Sequence, residues 1–185
     1  METFTDIVAG RNWNSWRILM WGAAAVLLTL PALAMQLNAP GVDWSAGDFV
    51  VMGIMLGVAG GLAELVAWAS GNGAYRFAAL IAIGTAFLTV WANLAVGMIG
   101  SEDNAYNQLF GGVLALALAA SAVARFRAAG MAWAMLGAGA LQLVLGAVGY
   151  ANDPLGAKFS MIFALPWLLS ALLFRKAARE QRLQH

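Results

Sequence analysis

The 185-residue chain has no cysteine, a single histidine, four prolines and only 10% charged residues. Without cysteine there is no disulfide, no thiolate nucleophile and no iron–sulfur ligation. The one histidine, His185, is the final residue of the sequence, so no imidazole is placed for a haem, a His-rich zinc site or a Ser-His triad. What the chain has instead is apolar: 62% hydrophobic residues and a mean hydropathy of +0.77. A soluble globule of this size cannot hide that much apolar surface. Composition therefore excludes a soluble enzyme, a disordered chain and a nucleic-acid binder. It points to a polytopic membrane protein whose first partner is the lipid bilayer, with no catalytic, cofactor or metal constellation expected.

A membrane helix needs about 20 mostly apolar residues, because each residue rises about 1.5 Å through a hydrocarbon core about 30 Å thick. Six stretches qualify: residues 18–37, 49–69, 77–99, 106–124, 130–150 and 159–174. The last is short, but Asp153 followed by Pro154 reads as an N-cap with proline at the first helical position. That helix is expected to start early and to continue past Arg175. Ser45 and Asp48 stand in capping-box spacing before the second span. The expected fold is all-α: one transmembrane domain of six helices, arranged as three consecutive hairpins joined by short loops.

Arg11, Arg17, Arg76, Arg125, Arg127, Arg175, Lys176, Arg179 and Arg182 fall on one side of these spans, with Glu2, Asp6 and Glu180. Lys158 alone falls on the other side, with Asp43, Asp48, Glu102, Asp103 and Asp153. The positive-inside rule then places both termini in the cytoplasm. The five outer acids would form an acidic mouth. Residues 18–34 also resemble a signal-peptide core with an A-x-A site, but the polar stretch before them is long and the apolar run reaches Leu37. The segment is therefore expected to remain as the first helix.

Helices in lipid associate through small residues. Gly53, Gly57 and Gly61 recur every four residues in the second span, a face for internal packing or for a second copy of the chain. The fourth span carries Gly111, Gly112, Ala115, Ala119 and Ala120, and the fifth Gly137, Gly139 and Gly146. Trp13, Trp16, Trp21, Trp68 and Trp133 mark the inner interface and Trp44 the outer one. Trp91 and Trp167 lie deep in their spans, as pocket linings or as core fillers.

Glu64 is the one charge within a span, about 9 Å from its inner end at 1.5 Å per residue. An isolated carboxylate there is costly, so it must be neutral or paired. No cation lies at its depth; Arg76, Arg125 or Arg17 would have to reach it by snorkelling. It is either a proton or cation site in a transport path or a structural carboxyl that pins two helices. Thr85, Thr89, Asn93 and Gly97 form a stripe at four-residue spacing. With Gln36 and Gln142 they place uncharged polar groups in the outer half of the spans, as a solute site or as interhelical hydrogen bonds. Glu64, Asn93, Thr89, Gln36, Gln142 and Trp91 are thus the candidate ligand or ion residues.

Residues 31–36 (PALAMQ), 42–49 (VDWSAGDF), 71–76 (GNGAYR), 91–104 (WANLAVGMIGSEDN) and 124–131 (ARFRAAGM) resemble those of a family of small six-helix proteobacterial inner-membrane proteins. The resemblance implies a location in the bacterial inner membrane and no particular activity. The size and six-span layout are similar to the substrate-binding subunits of energy-coupling-factor vitamin importers, a likeness of layout without a shared motif. Two functions follow as expectations. One is an accessory, scaffolding or assembly protein that binds another membrane protein or itself. The other is a transport component that takes a small solute or cation at Glu64. An enzyme acting on lipid ranks last, for want of a nucleophile–base pair.

Overall fold

The computed structural model describes the backbone of residues 4–183 and the side chains of residues 15–183. Glu2 and His185 lie outside the described residues, as do the side chains of Asp6, Arg11 and Trp13. The fold is all-helical, and six helical segments are long and apolar enough to cross a membrane. They are built from α1 (Phe4–Gln36), α2 (Ala46–Ala69), α3 (Gly73–Ala95), α4 (Leu109–Val123), α5 (Ala128–Gly149), α6 (Pro154–Ile162) and α7 (Ala164–Leu183). A 3-10 turn, Ala105–Gln108, leads into α4. The chain is an integral, multi-pass membrane protein. Its residues form two compact units, 1–65 and 66–185, and the boundary falls within α2.

In the first unit, α1 and α2 meet through side chains. Leu28 lies 3.9 Å from the position a Cβ on Gly53 would take, and Trp21 covers Gly60. A Cβ on Gly60 would come within 2.8 Å of the indole, so a larger residue there would have to displace the ring. Within this unit the expected glycine stripe is engaged only at Gly53. Among the described residues nothing lies within 4 Å of the position a Cβ on Gly57 or Gly61 would take, and Gly61 is exposed. The capping box forms as spaced. The Ser45 N–H and hydroxyl both donate to Asp48, and the Asp48 N–H reaches the Ser45 hydroxyl.

In the second unit, α5 and α7 form the centre. α7 packs between α3 and α5, while α4 and α6 flank α5. The buried positions on α5 (Ala128, Met131, Ala132, Met135, Ala138, Gly139, Gln142, Gly146 and Gly149) repeat at helical period along one stripe. Opposite them, α7 buries Ala164, Trp167, Ala171, Phe174 and Ala177. Van der Waals fit drives such packing in lipid, and small residues set the approach. A Cβ on Gly146 would sit 2.5 Å from Met161 and 3.2 Å from the Ala157 carbonyl. On α4 the packed face is Phe110, Val113, Ala117 and Ser121, whereas Gly111, Gly112, Ala115 and Ala119 are exposed.

Two segments depart from the expected spans. The third helix stops at Ala95 rather than Ile99. Gly97 adopts φ +77, a left-handed conformation that turns the chain, and Met98 and Ile99 fold back fully buried. The sixth span begins at Pro154 and runs to Leu183, capped by Asp153 as the spacing predicts, but it breaks after Ile162. Pro166 explains the break: it has no N–H for the Ile162 carbonyl, and its ring crowds that oxygen.

Candidate functional site

Glu64 sits in the first unit, one helical turn beyond Gly60. Arg17 grips it as a fork, with Nε donating to Oε1 at 2.8 Å and Nη2 to Oε2 at 3.2 Å. The Trp21 indole N–H donates to the same Oε1 at 2.8 Å. Arg17 and Trp21 are four residues apart, so α1 presents both donors on one face. The carboxylate is held as an anion by one cation and one neutral donor, a charge-assisted and geometrically fixed set. Its side chain keeps 26% exposure, so the pair is not sealed. Of the three arginines considered from the sequence, Arg17 is the partner. Trp21, read there only as an interfacial residue, completes the site.

The stripe on α3 turns inward on its own helix. The Thr85 hydroxyl donates to the Ile81 carbonyl, Thr89 to Thr85, and Asn93 Nδ2 to Thr89, each bond reaching back one turn. Thr85 and Thr89 are buried, Asn93 Oδ1 has no partner among the described residues, and Gly97 lies beyond the helix. Trp91, expected inside, is 43% exposed on the outer surface of its helix. Gln36 is also exposed, at the end of α1. Gln142 is fully buried, and its Nε2 donates to the carbonyl and hydroxyl oxygens of Ser160 at 3.1 and 3.3 Å. Among the described residues its Oε1 and the Trp167 indole N–H, both in the α5–α7 core, have no hydrogen-bond partner.

The expected acidic mouth divides by role. Asp48 belongs to its capping box. Asp153 accepts backbone N–H groups from Leu155, Gly156 and Gly100 at 2.8–3.1 Å, which ties α6 to the loop after α3. Asp43, Glu102 and Asp103 are exposed loop residues. The same loop is organised by Asn107, which accepts from Met98 and Ile99 and donates to Ser101, and by Asn104, which donates to Ile99. Sequence reasoning missed both asparagines as organisers. Their signal was an Asn-rich stretch next to a glycine pair in a short loop. Asn104 and Asn107 therefore hold the loop after α3 together.

Among the described residues no group of three His, Cys, Asp or Glu side chains is placed to hold a metal ion. A cleft of about 550 Å³ opens at the other, basic end of the second unit, lined by Arg127, Ala128, Ala129, Ala178, Gln181 and Arg182. No family model, no curated protein and no solved structure matches the chain.

Proposed function

We propose that the protein is a non-catalytic component of the bacterial inner membrane, an accessory, scaffolding or assembly protein, with both termini in the cytoplasm. One observation carries this reading: the intramembrane polar groups serve structure. Glu64 is engaged by Arg17 and Trp21, and Thr85, Thr89 and Asn93 bond to their own helix. The distribution of basic residues supports the orientation. The family resemblance supports the inner membrane.

A second reading, a small-solute or cation-binding transport component, is favoured by the residual exposure of Glu64 and by the unpartnered oxygens of Asn93 and Gln142. Glu64→Gln separates the two. The accessory reading expects a folded variant that co-purifies with the same membrane partner as the wild type and no pH-driven flux in proteoliposomes from either. A flux present in the wild type and abolished in Glu64→Gln selects the transport reading.

A further inference from the structure

The cleft at the basic end lies between the start of α5 and the end of α7. Arg127, the residue before α5, stands on one side, and Arg182, in the last turn of α7, on the other. Both side chains are exposed, and among the described residues neither has an ion-pair or side-chain hydrogen-bond partner. Glu180, the only acid on α7, is engaged elsewhere: it accepts from Asn72 Nδ2 at 2.8 Å and pairs with Lys176 at 3.8 Å. Two arginines thus line one cleft, and among the described residues neither is neutralised by an ion-pair partner. The cleft's volume falls in the range of small-molecule sites, about 300–1,000 Å³. Ala128 and Ala129 also line it, and the N-cap residue Arg127 makes no side-chain cap on the first turn of α5. The Gln181 carboxamide adds a donor and an acceptor.

The surroundings say what kind of anion fits. Ala128 and Ala129 begin a span that is apolar for 22 residues, so the cleft lies where headgroups meet hydrocarbon. From Ala129 an exposed apolar stripe descends α5 through Trp133, Leu136, Ala140 and Leu143 at spacings of four and three residues. Trp133 is 74% exposed one turn below the cleft. A soluble phosphate has no use for such a stripe, whereas a lipid's acyl chains do.

We propose that this cleft binds the phosphate headgroup of an anionic phospholipid, with Arg127 and Arg182 on the phosphate and the acyl chains along the Ala129–Trp133 face of α5. The contact goes beyond the general attraction of a basic surface to an anionic leaflet, because it depends on two particular arginines.

The probe is dioleoyl phosphatidylglycerol, presented against dioleoyl phosphatidylcholine to the purified full chain in detergent, with retained lipid counted by native mass spectrometry. The wild type should prefer the anionic lipid by roughly tenfold or more, as two cations near a surface imply. R127Q/R182Q should lose that preference. R125Q/R179Q, which removes two charges at the same end but outside the cleft, should keep it. Equal loss in both variants, no preference in the wild type, or displacement of the lipid by inorganic phosphate at equal concentration would each overturn the proposal. A measurement on the wild type alone stands if a variant misfolds: phosphatidylglycerol should shield Arg127 and Arg182 from phenylglyoxal more than Arg125 and Arg179. Uniform or absent shielding refutes the site.

Discussion

At the scale of single residues, side-chain type was legible and partner was not. Glu64 stood out because any charge in an apolar span does. Its partners come from α1, 47 and 43 residues away, and no local pattern names them. Asp153 was legible in full as an N-cap, yet its third donor, Gly100, comes from another loop. The N–H groups of Gly156, Gly100 and Leu155 hold its carboxyl below the usual carboxylate range. A carboxyl lowered in the folded state contributes stability that is fully present above its unfolded value, about 3.9, and is lost as pH falls through the folded value. The melting temperature of the wild type in detergent should therefore carry an Asp153 contribution that is flat from neutral pH to about 4 and declines below. Asp153→Asn should melt lower at neutral pH and lack that component of the acid-side decline. A variant that melts with the wild type at pH 7 would show that the cap does not matter. Asn107, buried and bonded to three backbone groups, makes a sharper case. Asn107→Ala leaves two buried N–H groups unmet, and should cost about 1–3 kcal/mol in a reversible unfolding assay.

At the scale of elements, helices followed the apolar runs because a bilayer demands it. Their ends followed backbone chemistry instead. Hydropathy carries the third span through Val96, Met98 and Ile99, but Gly97 turns left-handed and Asn107 receives the chain. Which glycines matter was also hidden, since a stripe of glycines is visible in sequence and the neighbour that needs it is not. Gly146 faces Met161 and the Ala157 backbone, whereas Gly57 and Gly61 face nothing within their unit. Gly146→Ala should destabilise by about 1–3 kcal/mol through overpacking, while Gly57→Ala and Gly61→Ala should leave the monomer's thermal stability unchanged. Equal losses at Gly61 and Gly146 would mean that another surface packs on the α2 stripe. Size measurement of the wild type then asks whether that surface is a second copy.

At the scale of the whole molecule, charge is polarised along the spans although the net charge is only +1. Nine of the ten basic residues lie at the ends that carry residues 11–17, 76, 125–127 and 175–182. This asymmetry, rather than net charge, sets insertion. Reporter fusions after Asn38 and after Ser70 should therefore report opposite sides of the membrane, with the Ser70 fusion cytoplasmic. The same side for both would remove the second crossing and the cytoplasmic placement of the cleft with it.

The sequence by itself determined the solvent, the number of crossings, the expected orientation and the helix start at Asp153–Pro154. Each of these depends on composition or on neighbours within one turn of helix. Tertiary structure alone decided that Arg17 and Trp21 hold Glu64, that Trp167 is buried while Trp91 is exposed, and that Asn104 and Asn107 tie the loop over residues 96–104. It also decided that Arg127 and Arg182 share one cleft. These depend on which faces of distant helices meet. In lipid that choice rests on close packing and on a few hydrogen bonds, not on a hydrophobic pattern that the sequence would display.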